Sequence, residues 1–130
     1  MKMKPEIKAL WLAALRSGEY TQGTEQLRTE RGDGPRYCCL GVLCELHRTL
    51  TNAGKWATAR NAEEGDPLAY IGPRDDTSQY NLPVVVQEWA GLVDCDPIID
   101  TETLSRYNDG TKDLPALPFV AIADLIERNL

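Results

Sequence analysis

The sequence lacks most of the patterns by which catalytic and nucleic-acid-binding proteins are recognised. It has one histidine, and it contains no Gly-rich phosphate loop, no nucleophile elbow and no kinase signature. Its 14 basic residues are outnumbered by 20 acidic ones, which gives a net charge of -6 at pH 7. Because nucleic-acid binding depends on clustered Lys and Arg that neutralise phosphates, this balance disfavours general nucleic-acid binding. We find no positive sign of an enzyme, so catalysis is less favoured than binding.

Long apolar runs are also absent. No stretch approaches the ~18 apolar residues that a membrane-spanning helix requires, and the first residues do not form a signal-peptide core. The four cysteines include the adjacent pair Cys38 and Cys39 inside a helical pattern, which suits reduced thiols better than disulfides. We therefore expect a cytoplasmic protein that makes no contact with a membrane.

Apolar residues at helical spacing predict four helices. The first runs from Pro5 to Ser17 with Gly18 as its C-cap, the second begins in the Cys-rich stretch 37–47, the third follows Pro83 and ends at Gly91, and the last covers 119–130. A shorter helical turn is expected near 101–107. We expect Trp11 and Trp89 to lie on core-facing stripes. In the second helix the spacing turns Cys39 toward the core and Cys44 away from it, and Gly41 allows another backbone to approach closely.

Turn residues between β-prone runs predict two hairpins. The first pairs 26–29 with 36–38 across the Gly- and Asp-rich turn 31–35, and the second pairs 55–60 with 68–71 across the polar connection 63–67. Segments 72–81 and 108–110 are predicted to be a loop and a turn. No repeat or linker divides the chain. We expect an α+β fold in which a small antiparallel sheet of two hairpins packs against three to four helices, as one domain over residues 1–130.

The Cys-rich stretch raises two catalytic or metal-binding alternatives. Cys38 or Cys39 at a helix start would gain from the positive helix end, which lowers the pKa of a thiol. However, His47 lies roughly 12 Å further along the same helix, too far to act as its general base. Cys44 and His47 are spaced to hold one metal ion, but paired Cys-x-x-Cys ligands are absent. We therefore predict no catalytic residue, metal ligand or cofactor, and a cysteine- or metal-dependent enzyme remains the third alternative.

Arginines and aromatic residues in the two hairpin regions favour a binding function. Arg side chains beside aromatic rings are typical of pockets for planar anions, and also of protein interfaces. On this basis the predicted ligand-binding residues are Arg28, Arg36, Tyr37 and Arg74. They would line a pocket for a small anionic ligand such as a nucleotide.

Several runs of the sequence have a distinctive form. They are W-L-A-A-L-R-S-G-E-Y-T-Q at 11–22, Y-C-C-L-G-V-L-C at 37–44, E-W-A-G-L at 88–92, N-D-G at 108–110, and Phe119 with I-A-D-L-I-E at 122–127. In these runs the chain resembles a family of small proteins encoded by bacteriophages and prophages, to which no activity is assigned. The resemblance therefore implies a biological setting but no catalytic residues.

The setting implied by the resemblance is the cytoplasm of a bacterial host, where small accessory phage proteins often bind a host component. We therefore expect a phage-encoded accessory protein that binds and neutralises a host factor, such as a defence enzyme, without catalysis. The alternative is a pocket that sequesters a small anionic ligand such as a nucleotide signal. The expected partner is thus a host protein or a small anion, and assembly into a homo-oligomer is left open.

Overall fold

The structure is a computed structural model that describes residues 3–58, 67–74 and 76–130. Over these ranges the chain forms five helices and seven strands. The helices are α1 (Pro5–Ser17), α2 (Cys39–Thr51), α3 (Val84–Ala90), α4 (Leu104–Asp109) and α5 (Phe119–Asn129). The strands are β1 (Arg28–Arg31), β2 (Gly34–Tyr37), β3 (Lys55–Thr58), β4 (Pro67–Ile71), β5 (Thr77–Ser78), β6 (Ile98–Ile99) and β7 (Glu102–Thr103). The predicted α+β domain is confirmed, but with five helices instead of three to four, because the expected helical turn is the separate helix α4.

The predicted hairpins both exist and belong to one antiparallel sheet. Its order is β2-β1-β4-β3, with β5 also paired to β4. Pairing of Arg28 with Leu68 joins the two hairpins. In the first hairpin β1 lies two residues later than predicted, and β2 begins two residues earlier, at Gly34. The turn occupies only 32–33 and not 31–35, so both strands extend until Arg31 is opposite Gly34. Residues 59–66, which include the end of the predicted third strand and most of the connection after it, lie outside the described residues.

Local signals locate most helix ends correctly. Helix α1 has the predicted bounds, and Gly18 ends it in the left-handed conformation with φ 78°. The predicted turn at 108–110 is wrong, since Asn108 and Asp109 are the last residues of α4 and Gly110 is its C-cap. The Asn108 side chain, which donates to the carbonyl of Gly23, is used in a tertiary contact instead of a local turn. None of the helices described is long and apolar enough to cross a membrane.

Helix α2 lies at the centre of the core and contacts α1, α3, α4 and β2. Since it is covered on several sides, the predicted outward position of Cys44 is wrong, and this side chain is fully buried. A Cβ on Gly41 would lie 1.8 Å from the carbonyl oxygen of Leu27, which confirms the close backbone approach. Trp11 is fully buried as predicted, whereas Trp89 is half-buried at the edge of the core.

Candidate functional site

A buried carboxylate gathers two of the predicted ligand residues. Arg28 and Tyr37 oppose each other on β1 and β2, and both side chains turn toward Glu45 of α2, which is only 6% exposed. The Tyr37 hydroxyl donates to Glu45 at 2.9 Å and Trp56 Nε1 donates at 3.1 Å. Arg48 donates at 2.5 Å, and an Arg28 nitrogen lies 3.6 Å away. We call these five residues the Glu45 cluster.

The contacts inside the Glu45 cluster already neutralise its arginines. The Arg28 guanidinium lies 5.5 Å from the ring centres of both Tyr37 and Trp56, and it also pairs with Glu30. Burial, together with the Glu45 charge, raises the pKa of Tyr37, so its hydroxyl stays a proton donor. An external anion would have to displace two carboxylates from Arg28. Ligand binding by Arg28 and Tyr37 stays a prediction, and their contacts here favour a role in the core.

The thiols of the Cys-rich stretch are poor nucleophiles. Cys38, Cys39 and Cys44 are buried, and burial raises the pKa of Cys38 to about 12 despite its position at a helix start. His47 lies 2.6 Å from the Tyr70 hydroxyl, so its nearest polar partner is a phenol and not a thiol. Among the described residues no group of three His, Cys, Asp or Glu could hold a metal ion. The cysteine- or metal-dependent enzyme stays the third alternative, without a thiol–imidazole contact among the described residues to support it.

A second feature, which we call the polar depression, lies on the other face of the first hairpin. Because neighbouring residues of a strand point to opposite faces, Arg36 points away from the Tyr37 side of the sheet. The depression measures about 320 Å³. It is lined by polar and charged residues, namely 22–26, Thr29, Arg31 and Arg36. The predicted residues Arg36 and Tyr37 therefore serve different surfaces.

Two of the residues that line the polar depression each contain a buried polar atom without a hydrogen-bond partner in the described part of the chain. The Nε of Arg36, a donor, and the Oε1 of Gln26, an acceptor, are out of contact with water and make no hydrogen bond within the described part of the chain. Arg31 is exposed and forms no ion pair there. Buried polar groups are usually paired. Because these two atoms have almost no accessible surface, a molecule in the depression would reach them only if the Gln26 and Arg36 side chains shifted.

Tertiary hydrogen bonds hold the loop 22–26 that forms one wall of the polar depression. Asn108 is buried, and its Oδ1 accepts from Gln22 Nε2 at 3.0 Å while its Nδ2 donates to the Gly23 carbonyl at 2.8 Å. The carboxylate of Asp109 accepts the Glu25 backbone N–H at 3.0 Å. Our sequence reasoning missed these residues as parts of the site, although Gln22 and the N-D-G run had been noted as distinctive.

Arg74 lies in a third place, so the four predicted ligand residues do not meet. It lines a smaller depression of about 200 Å³, which includes the exposed side chains of Val84 and Glu88 on α3. The carboxylate of Asp76, in the same depression, accepts the backbone N–H of Val85 and so fixes the start of α3. The pocket predicted from Arg28, Arg36, Tyr37 and Arg74 therefore separates into three surfaces.

The negative charge of the chain is concentrated in residues 75–105, which we call the acidic segment. This segment has seven Asp or Glu residues and neither Lys nor Arg, in a chain whose total net charge is -6. Within the described residues, Glu88, Asp94 and Asp100 are exposed and form no ion pair. Four exposed large apolar side chains accompany them: Tyr80, Val84, Val93 and Ile98. A backbone hydrogen bond from Leu82 to the Cys95 carbonyl brings the two halves of the segment together.

Comparison with known proteins identifies the family. A model of a family described as a domain of unknown function, DUF8296, matches residues 3–130, and the chain therefore belongs to that family. No curated protein and no solved structure matches the chain. The family description names no activity, so function has to be argued from the geometry above.

Proposed function

We propose that this member of the DUF8296 family acts by binding, without catalysis, and that its partner is a protein with a basic, partly apolar surface. In the setting that the phage resemblance implies, the partner is a host factor that binding neutralises. The proposal depends on one observation, which is that the acidic segment exposes both large apolar side chains and carboxylates that form no ion pair within the ranges the structure describes.

The charges of the acidic segment define the chemistry of the partner. Glu88, Asp94 and Asp100 are exposed carboxylates that form no ion pair among the described residues, so a surface rich in Lys and Arg would complement them. Such complementary charges speed association and select the orientation of the partner more than they add affinity. The charges therefore account for partner selection.

The exposed apolar side chains supply the part of the interface that excludes water. Val93 is 65% exposed and Ile98 is 58% exposed, and both lie in the acidic segment. Exposed large apolar side chains are common in sites that bind other proteins. A partner that covered them would gain from their burial, roughly 25 cal/mol per Å² of apolar area removed from water.

The test is a binding experiment in which one charge is reversed. A tagged chain is used to capture proteins from bacterial lysate, and affinity for the captured protein is then measured at two salt concentrations. Asp94→Lys should weaken binding about tenfold or more, and higher salt should weaken binding of the unchanged chain. Asp113→Lys is the matched control, since Asp113 is also exposed but lies outside the acidic segment, and it should bind normally.

Two results would contradict the proposal. One is equal loss of affinity in Asp94→Lys and Asp113→Lys. The other is an affinity that does not change with salt, because the attraction between exposed charges is screened by ions.

A second function, sequestration of a small anionic ligand, is supported by a different observation, namely that Arg31 and Arg36 both line the polar depression.

A further inference from the structure

We propose that the polar depression binds a small organic anion that also presents hydrogen-bond donors, a combination found in nucleoside monophosphates. This site goes beyond the protein-binding function, since none of its residues belongs to the acidic segment. The volume of about 320 Å³ lies at the lower end of the range for small-molecule sites. This volume is enough for one small molecule.

Two arginines supply the positive charge. Arg31 is exposed and has no ion-pair partner among the residues described. Arg36 pairs with Asp33 at 3.1 Å, but the Asp33 side chain is 65% exposed, so this surface pair is readily given up to a ligand. A guanidinium presents a planar fork of donors that matches a phosphate or carboxylate. One end of the ligand is therefore anionic.

The ligand must also carry hydrogen-bond donors, because acceptor groups belong to residues of the same depression. The Oε1 of Gln26 is out of contact with water and has no donor. The carboxylate of Glu25 also lines the depression and would repel a bare anion. N–H or O–H groups of the ligand, placed away from its anionic end, satisfy the Glu25 carboxylate. They reach the Gln26 oxygen only if that side chain turns toward the depression.

The wall that holds these groups is fixed before any ligand binds. Glu25 has φ 68°, an uncommon conformation for a residue other than glycine. It is maintained by the hydrogen bond from its N–H to Asp109 and by the contacts of Asn108 with Gln22 and Gly23. A wall that needs no reordering on binding lowers the entropic cost of association.

The test is calorimetry and thermal denaturation of the full chain with defined probes. These are the four common nucleoside monophosphates, inorganic phosphate, and the corresponding nucleosides. At least one monophosphate should bind and raise Tm, and it should bind at least tenfold more tightly than inorganic phosphate or its own nucleoside. No monophosphate binding at millimolar concentration, or equal binding of inorganic phosphate, would overturn the proposal.

Variants then locate the site. Arg31→Gln and Arg36→Gln should each weaken the binding of the monophosphate at least tenfold. Arg31 is exposed, so this variant keeps the test informative if Arg36→Gln fails to fold. The matched control is Arg106→Gln, an exposed arginine in another depression, which should leave binding unchanged. Equal loss in all three variants would refute the location.

The two proposals fail separately. Asp94→Lys, which tests the acidic segment, should leave monophosphate binding unchanged, and Arg31→Gln should leave capture of the protein partner unchanged. Loss of monophosphate binding in Asp94→Lys would contradict the independence of the two sites.

Discussion

Replacement of Glu45 by glutamine should lower the free energy of unfolding by about 3 kcal/mol. The substitution keeps the shape of the side chain but removes the charge toward which Tyr37, Trp56, Arg28 and Arg48 are directed. Removing one partner of a buried ion pair costs about 3–5 kcal/mol, because the other charge is left uncompensated. Arg48 is 41% exposed and can turn to water, whereas Arg28 is 18% exposed. We therefore expect the lower end of that range.

Urea denaturation followed by tryptophan fluorescence measures this change, with the free energy extrapolated linearly to water. The free energy of unfolding of domains of this kind is about 5–15 kcal/mol, so the Glu45→Gln variant should still fold. Glu30→Gln is the matched control, since Glu30 pairs with the same Arg28 but is 43% exposed. Exposed ion pairs contribute about 0–1 kcal/mol to the free energy of unfolding, so Glu30→Gln should lower that free energy by no more than this. If Glu45→Gln costs no more than Glu30→Gln, the Glu45 cluster does not stabilise the core as argued.

Three further predictions test the core. Gly41→Ala should lower the free energy of unfolding by at least about 2 kcal/mol in the same urea assay, because its Cβ would overlap the Leu27 carbonyl. A higher free energy of unfolding, as expected if the better helix propensity of Ala dominated, would contradict this. At pH 8 a thiol reagent should label only Cys95 in the native protein and all four cysteines in denaturant, since burial raises the pKa of the other three; a second fast-reacting thiol would refute it. Burial, opposed by Asp76, lowers the pKa of His47 below 6.5, so the unfolded chain binds protons more readily. The free energy of unfolding should fall as pH drops below about 6.5, and His47→Gln should flatten that slope; an unchanged slope in the variant would exclude His47 as its source.

Both proposals depend on surfaces that residue types alone did not locate. Arg plus aromatic residues predicted one pocket, yet Arg28 and Tyr37 face Glu45, Arg36 lines the polar depression and Arg74 lies beside α3. Part of this separation was available from the sequence, since adjacent residues of a strand point to opposite faces and Arg36 and Tyr37 are neighbours on β2. The position of Arg74 could not be predicted from the sequence, because it depends on how β4, β5 and α3 pack.

The elements that depend on neighbouring residues can be predicted from the sequence alone. Helices α1 and α5 follow from apolar residues repeated at helical spacing, and the bounds of α1 follow from Pro5 and Gly18. The first hairpin follows from Gly32, Asp33 and Gly34, which adopt the tight turn with little strain. These signals act within a few residues, so they can be read without knowledge of the fold.

Which polar groups are buried, and which groups they contact, depends on the tertiary structure. Asn108 bonds to Gln22 across 86 positions of sequence, and Glu45, an acidic residue in an apolar helix, gains its donors from β1, β2 and β3 as well as from α2. Cys44 and His47 are buried because other elements cover the sides of α2 that one apolar stripe does not predict. The physical reason is that burial and hydrogen bonding depend on elements distant in the chain, whereas helix and turn formation depends on adjacent residues.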